Sequence, residues 1–113
     1  MRKYIEMHKN GKLKNIISEL YKILESCTLC PRECKVNRLN GKTGYCKSGE
    51  LPIVSSIGPH FGEEPPLVGY RGSGTIFFSH CNMGCVYCQN YEFSQLGGGR
   101  EVDFAGLAKF MIE

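Results

Sequence analysis

Three closely spaced cysteines carry the strongest chemical signal in this sequence. In "FFSHCNMGCVYCQN", residues 77–90, they follow the pattern Cys81-x3-Cys85-x2-Cys88. A structural zinc site is normally closed by four protein ligands, because zinc with an open position is reactive. Thiolates also hold iron–sulfur clusters, and three of them on a four-iron cluster leave one iron open to another ligand. The triplet therefore predicts a [4Fe-4S] cluster with an open iron, and a zinc site completed by a residue such as His80 is the alternative.

Four further cysteines form a separate group nearer the start of the chain. They are Cys27, Cys30, Cys34 and Cys46, and the turn-forming residues Pro31, Gly41, Gly44 and Gly49 lie between or beside them. Their spacing suits a four-thiolate zinc site, and a second iron–sulfur cluster is the competing interpretation. We favour a structural metal, because the intervening residues form turns and suggest no substrate site. Such a metal would replace a missing hydrophobic core.

The cysteine count also bears on the compartment. Seven cysteines in 113 residues indicate either disulfides or bound metal, and an odd number fits a disulfide framework poorly. The first ten residues contain no apolar run long enough for a signal peptide, and no segment has the composition of a membrane span. We therefore expect a cytoplasmic protein without membrane contact, whose thiols bind metal.

Charge is distributed unevenly along the chain. Residues 1–47 carry eleven Lys and Arg against four Glu, whereas the remainder carries three against seven acidic residues. A basic segment with cysteines could contact nucleic acid. Metal-bound thiolates would cancel much of this positive charge, so nucleic acid is not the expected partner.

The periodicity of apolar residues divides the chain into two segments. Residues 11–26 predict an amphipathic helix, and the turn-rich residues 27–49 predict a metal knuckle. Together they make an N-terminal segment, residues 1–50. The second segment, residues 51–113, is predicted to contain a strand over 51–57, an irregular stretch over 58–74, a strand over 75–79, a flexible stretch over 95–102, and a helix over 104–113 with Asp103 as its N-cap.

The triplet and the residues beside it resemble a known superfamily. The triplet directly follows an apolar strand and has an aromatic residue, Tyr87, just before its last cysteine. This pattern resembles the signature of the radical S-adenosylmethionine superfamily. "RGSGTIFFSHCNMGCVYCQNYEFSQ", together with "CTLCPRECKVNR" and "GYCKSG", is similar to a subgroup described as pyruvate formate-lyase activating enzyme-like proteins. The resemblance covers about residues 25–112.

The resemblance implies a cofactor set and a reaction. Cys81, Cys85 and Cys88 would hold the [4Fe-4S] cluster, and the amino and carboxylate groups of S-adenosylmethionine would chelate the open iron. Backbone around Tyr87 would lie near the adenine. An electron donor such as flavodoxin or ferredoxin would drive cleavage to a 5′-deoxyadenosyl radical, which abstracts hydrogen from a substrate. A glycyl radical enzyme is the implied partner, and the alternative function is a small zinc-binding module with protein or nucleic-acid partners.

The resemblance also implies a fold, and the length of the chain departs from it. We expect an α/β protein in which the N-terminal helix and cysteine-rich knuckle precede the first strand and helix of a partial (β/α) barrel. Such barrels run to about 250 residues, so we expect a truncated fragment of doubtful activity. Its last helix would expose the side chains Phe104, Leu107, Phe110 and Met111.

Overall fold

The protein, described by a computed structural model over residues 3–112, combines helices with a small antiparallel sheet. The predicted combination of helices and strands in an α/β protein is confirmed. The chain divides into two compact units between Tyr45 and Cys46.

Two helices open the first unit, α1 (Lys3–Lys9) and α2 (Lys12–Glu25). Gly11 separates them with a left-handed φ of 76°, and its N–H donates to the carbonyl of His8 at 3.2 Å. This is the usual way for glycine to end a helix. The helix predicted over residues 11–26 is confirmed as α2. The sequence interpretation missed α1, because seven residues are too few to show helical periodicity clearly.

The apolar stripe of α2 is only partly covered within its own unit. Ile16, Ile17 and Leu20 are 41–52% exposed, whereas Leu13 and Leu24 are half-buried. Beyond α2, residues Arg38–Asn40 form a single 3₁₀ turn. The side chain of Asn37 accepts a hydrogen bond from the N–H of Asn40 and so caps that turn.

The second unit is built on three antiparallel strands in the order β2-β1-β3. These strands are β1 (Ile53–His60), β2 (Ser73–Phe78) and β3 (Arg100–Glu101). Ile57 lies opposite Ile76 in the main ladder. Both predicted strands are confirmed, and β1 is longer than expected.

Three further elements complete this unit: a short helix α3 (Pro65–Val68), a π-helical turn (Glu92–Leu96) and the last helix α4 (Phe104–Ile112). The prediction of an irregular stretch over 58–74 is wrong at both ends, where β1 and β2 extend into it, and in its middle, which holds α3. The prediction of a flexible stretch over 95–102 is wrong at its ends, which belong to the π-helical turn and to β3.

The start of α4 follows the sequence prediction. Asp103 Oδ1 accepts a 2.6 Å hydrogen bond from the N–H of Gly106, so Asp103 is the N-cap. Phe104, Phe110 and Met111 are exposed as expected. The same expectation is wrong for Leu107, which is half-buried. The last residue of the predicted helix, 113, lies outside the described residues.

The hydrophobic core is very small. Within residues 3–112 the buried apolar side chains are Cys27, 3% exposed, and Val54, 6% exposed. Small domains with so little buried apolar surface usually need a metal or a disulfide for stability. No helix in this described range is long and apolar enough to cross a membrane.

Candidate metal centre

The loop that carries the cysteine triplet begins at the end of β2. Ser79 follows this strand, and its N–H donates to the carbonyl of Ile53 at 2.8 Å. Its side chain is buried, and the hydroxyl donates to the carbonyl of Gly98. These bonds connect the entry of the loop both to β1 and to the glycine-rich segment after the π-helical turn.

His80 turns the chain from the strand into the loop. It adopts a left-handed φ of 72°, and its N–H donates to the carbonyl of Phe93 at 2.9 Å. The imidazole lies against Gly97, so close that a Cβ at position 97 would overlap its Cε1 atom. The Nδ1 atom is buried without a hydrogen-bond partner. The structure thus places the His80 ring beside the glycine-rich segment.

Two backbone N–H groups form hydrogen bonds within the loop, and one of them faces a thiol. The N–H of Met83 donates to Cys81 Sγ at 3.3 Å, and the N–H of Cys88 donates to the carbonyl of Cys85 at 3.3 Å. Gly84 has a φ of 71°, a conformation that side chains with a Cβ rarely adopt. Gly84 therefore allows the loop to turn tightly between Cys81 and Cys85.

The π-helical turn places a hydroxyl within hydrogen-bond distance of the triplet. Ser94 Oγ lies 3.1 Å from Cys88 Sγ. The preceding residue, Phe93, packs its ring edge-on against Phe77 of β2 with 5.5 Å between ring centroids. The sequence interpretation missed Ser94. Its only signal was a hydroxyl residue a short distance after the last cysteine, next to an aromatic residue.

Tyr87 is oriented away from the protein interior. Its side chain is 87% exposed, and the neighbouring Val86 is 98% exposed. The ring therefore contributes little to packing and is accessible to a ligand. The predicted position of its backbone near an adenine stays a prediction.

The structure provides the surroundings of the triplet but does not assemble its thiols. All seven cysteines lie in the described range and none forms a disulfide. Cys81, Cys85 and Cys88 are half-buried in one loop. Nowhere in residues 3–112 do three His, Cys, Asp or Glu side chains converge closely enough to hold a metal ion. The ligand set therefore remains the one that the sequence predicts.

The N-terminal cysteines are divided between the two units. Cys27, Cys30 and Cys34 belong to the first, and Cys46 is the first residue of the second. The backbone of Cys27 exchanges two hydrogen bonds with the returning chain: its N–H donates to Val36 at 3.1 Å, and its carbonyl accepts from Lys35 at 3.0 Å.

The return of this chain requires unusual backbone conformations. Glu33 and Lys35 have φ angles of 40° and 54°, in the left-handed region that residues other than glycine rarely occupy. Such conformations cluster at functional sites. The predicted knuckle therefore has a defined tight backbone around its first three cysteines.

Positive charge lies close to Cys34. A Cβ placed on Gly44 would be 2.7 Å from Cys34 Sγ and 3.5 Å from Arg38 Nη2. The side chains of Cys34 and Arg38 therefore both lie next to Gly44. Arg38 is only 5% exposed. A buried guanidinium would offset the negative charge of metal-bound thiolates. A second cation, Arg32, stacks on the ring of Tyr45 at 3.7 Å.

We expect Gly44→Ala to destabilise the first unit, because the new Cβ would overlap the Cys34 side chain. Overpacking of this kind costs about 1–3 kcal/mol in the free energy of unfolding. Urea denaturation followed by circular dichroism measures the change. Gly49→Ala is the matched control, since a Cβ there would have no atom within 4 Å. Equal losses in the two variants would contradict the packing described for Gly44.

Comparison with known proteins gives one informative similarity. The chain is 42% identical over 74 residues to the uncharacterized protein MJ0674 of Methanocaldococcus jannaschii. The aligned part is 66% of this chain and 20% of the relative, so the match spans about a fifth of the length of that curated protein. No model of a known protein family matches the chain, and no solved structure matches it. The relative's name gives no activity.

Proposed function

We propose that this chain is a radical S-adenosylmethionine iron–sulfur protein whose cluster is held by Cys81, Cys85 and Cys88. The observation that carries the proposal is that two of these thiols have hydrogen-bond partners within the same segment. Met83 N–H faces Cys81 Sγ and Ser94 Oγ faces Cys88 Sγ. Donors to sulfur stabilise the negative charge that cluster thiolates carry.

The residues present fit an iron–sulfur cluster with one open iron. Three thiols in one short loop are the soft ligands that iron–sulfur clusters require, and Gly84 allows the loop to turn tightly. When bound, the cluster would supply an electron for reductive cleavage of S-adenosylmethionine at the open iron. The chain itself would ligate the cluster, donate hydrogen bonds to its cysteine sulfurs and present the exposed Tyr87 segment to the ligand.

We also propose that β2, the triplet loop and α4 form the first strand, loop and helix of a (β/α) barrel. β2 ends directly before the loop, and α4 follows it with an exposed apolar surface that includes Phe110 and Met111. In such folds the ligand site lies at the carboxyl ends of the strands, where the triplet lies here. The partner strands of a barrel would cover this helix.

We propose three secondary assignments, two from the sequence resemblance and one from the N-terminal cysteines. A glycine of a partner enzyme is the proposed recipient of the radical, and a flavodoxin or ferredoxin is the proposed electron donor. We propose a structural metal for the N-terminal cysteines, because the tight backbone around Cys27 and the small core suit a metal-stabilised segment.

Anaerobic reconstitution with iron and sulfide tests the proposed function. We expect a brown protein with broad visible absorption and about four iron atoms per chain bound at the triplet. A parallel sample is loaded with zinc alone. A colourless protein that takes up zinc but no iron and sulfide would contradict the proposal and favour the zinc-binding module.

A further inference from the structure

The Ser94 hydroxyl has no role in the ligand set, yet it lies within hydrogen-bond distance of a proposed ligand. Ser94 Oγ and Cys88 Sγ are 3.1 Å apart, and both side chains are half-buried. In the metal-free thiol either atom could be the donor. Once Cys88 binds iron as a thiolate it has no proton, so Ser94 must donate.

The position of Ser94 is fixed by its neighbours. Phe93 is held on two sides, since its ring packs on Phe77 and its carbonyl accepts from the N–H of His80 at 2.9 Å. The N–H of Ser94 itself donates to the carbonyl of Asn90 at 2.9 Å. These contacts lie in a π-helical turn, an uncommon element that often occurs at functional sites. The hydroxyl is therefore positioned before any cluster binds.

We propose that Ser94 is a positioning residue that sets the reduction potential of the cluster through its hydrogen bond to Cys88. This inference rests on the proposed function. Reduction of [4Fe-4S]²⁺ to [4Fe-4S]⁺ by one electron adds negative charge that is shared with the cysteine sulfurs. A donor to Cys88 Sγ stabilises the reduced form more than the oxidised form and raises the potential. The electron comes from an external low-potential reductant.

The test is a mediated redox titration of the reconstituted wild type and Ser94→Ala, followed by electron paramagnetic resonance. Loss of one charge-assisted hydrogen bond should lower the equilibrium constant for reduction about tenfold, which is about 59 mV for one electron. Ser94→Thr keeps a hydroxyl and should retain the wild-type potential. Ser94→Val has nearly the same shape as Ser94→Thr without the hydroxyl and should match Ser94→Ala.

The possible outcomes separate this inference from the function on which it rests. A lower potential in the Ala and Val variants, with Thr near wild type, supports it. Equal potentials in all four proteins would overturn the role of Ser94 and leave the cluster assignment intact. Cluster loss in Val but not in Thr would assign Ser94 to assembly and overturn the tuning role. A wild type that binds no cluster would overturn both proposals.

Discussion

Alanine in place of Cys81, Cys85 or Cys88 should abolish assembly of the cluster. Each substitution removes one of three protein ligands, and two thiolates do not hold a cubane cluster against solvent and free thiol. We expect each variant, after anaerobic reconstitution, to lose about four iron atoms per chain relative to the wild type. Iron and acid-labile sulfide analysis measures the loss, and the broad visible absorption of the cluster should disappear with it.

The control for these variants comes from the same loop. Val86 lies between two of the cysteines, is 98% exposed and has no proposed contact with the cluster. Val86→Ala should therefore bind iron at the wild-type level. Wild-type iron content in any of the three cysteine variants would overturn the ligand assignment.

Gly97→Ala should strongly destabilise the protein. Gly97 has a φ of 71°, which strains an alanine, and its Cβ would overlap the His80 imidazole at the entry to the triplet loop. Backbone strain and overpacking each cost about 1–3 kcal/mol, so we expect a loss of about 2–6 kcal/mol in the free energy of unfolding. A loss of this size would unfold much of a small domain with a small core.

Gly98 provides the control, because Gly98→Ala also reduces chain flexibility but does not create the clash with His80. Gly98 does not have a positive φ, and a Cβ there would have no atom within 4 Å. Gly98→Ala should change the free energy of unfolding by less than about 0.5 kcal/mol. Urea denaturation of both variants gives the comparison. If the two glycines were equally tolerant of alanine, the packing of His80 on Gly97 would be wrong.

The sequence predicted those parts of the fold that depend on local signals. The apolar spacing of α2, the β-branched and aromatic residues of β2 and the capping side chain of Asp103 act through neighbours along the chain. The role of Gly84 was also predictable, because a tight loop of cysteines needs a residue without a Cβ.

What the sequence could not show depends on contacts between distant residues. The glycine-rich segment reads as flexible from its composition, yet Gly97 and Gly99 allow close approach to His80 and to the backbone of β1. β3 has only two residues and no pattern of its own, so its pairing with β1 is set by tertiary contacts. Ser94 became a candidate only when the π-helical turn placed it beside Cys88.

The most direct test of the central claim is whether the cluster has an open iron that binds S-adenosylmethionine. The reconstituted chain is reduced at low potential, and its electron paramagnetic resonance spectrum is recorded with and without S-adenosylmethionine. We predict a [4Fe-4S]⁺ signal whose g values shift when the ligand binds, independently of any turnover. A reduced cluster with an identical spectrum in both samples, or a protein that binds only zinc, would contradict the assignment of Cys81, Cys85 and Cys88 to a radical S-adenosylmethionine site.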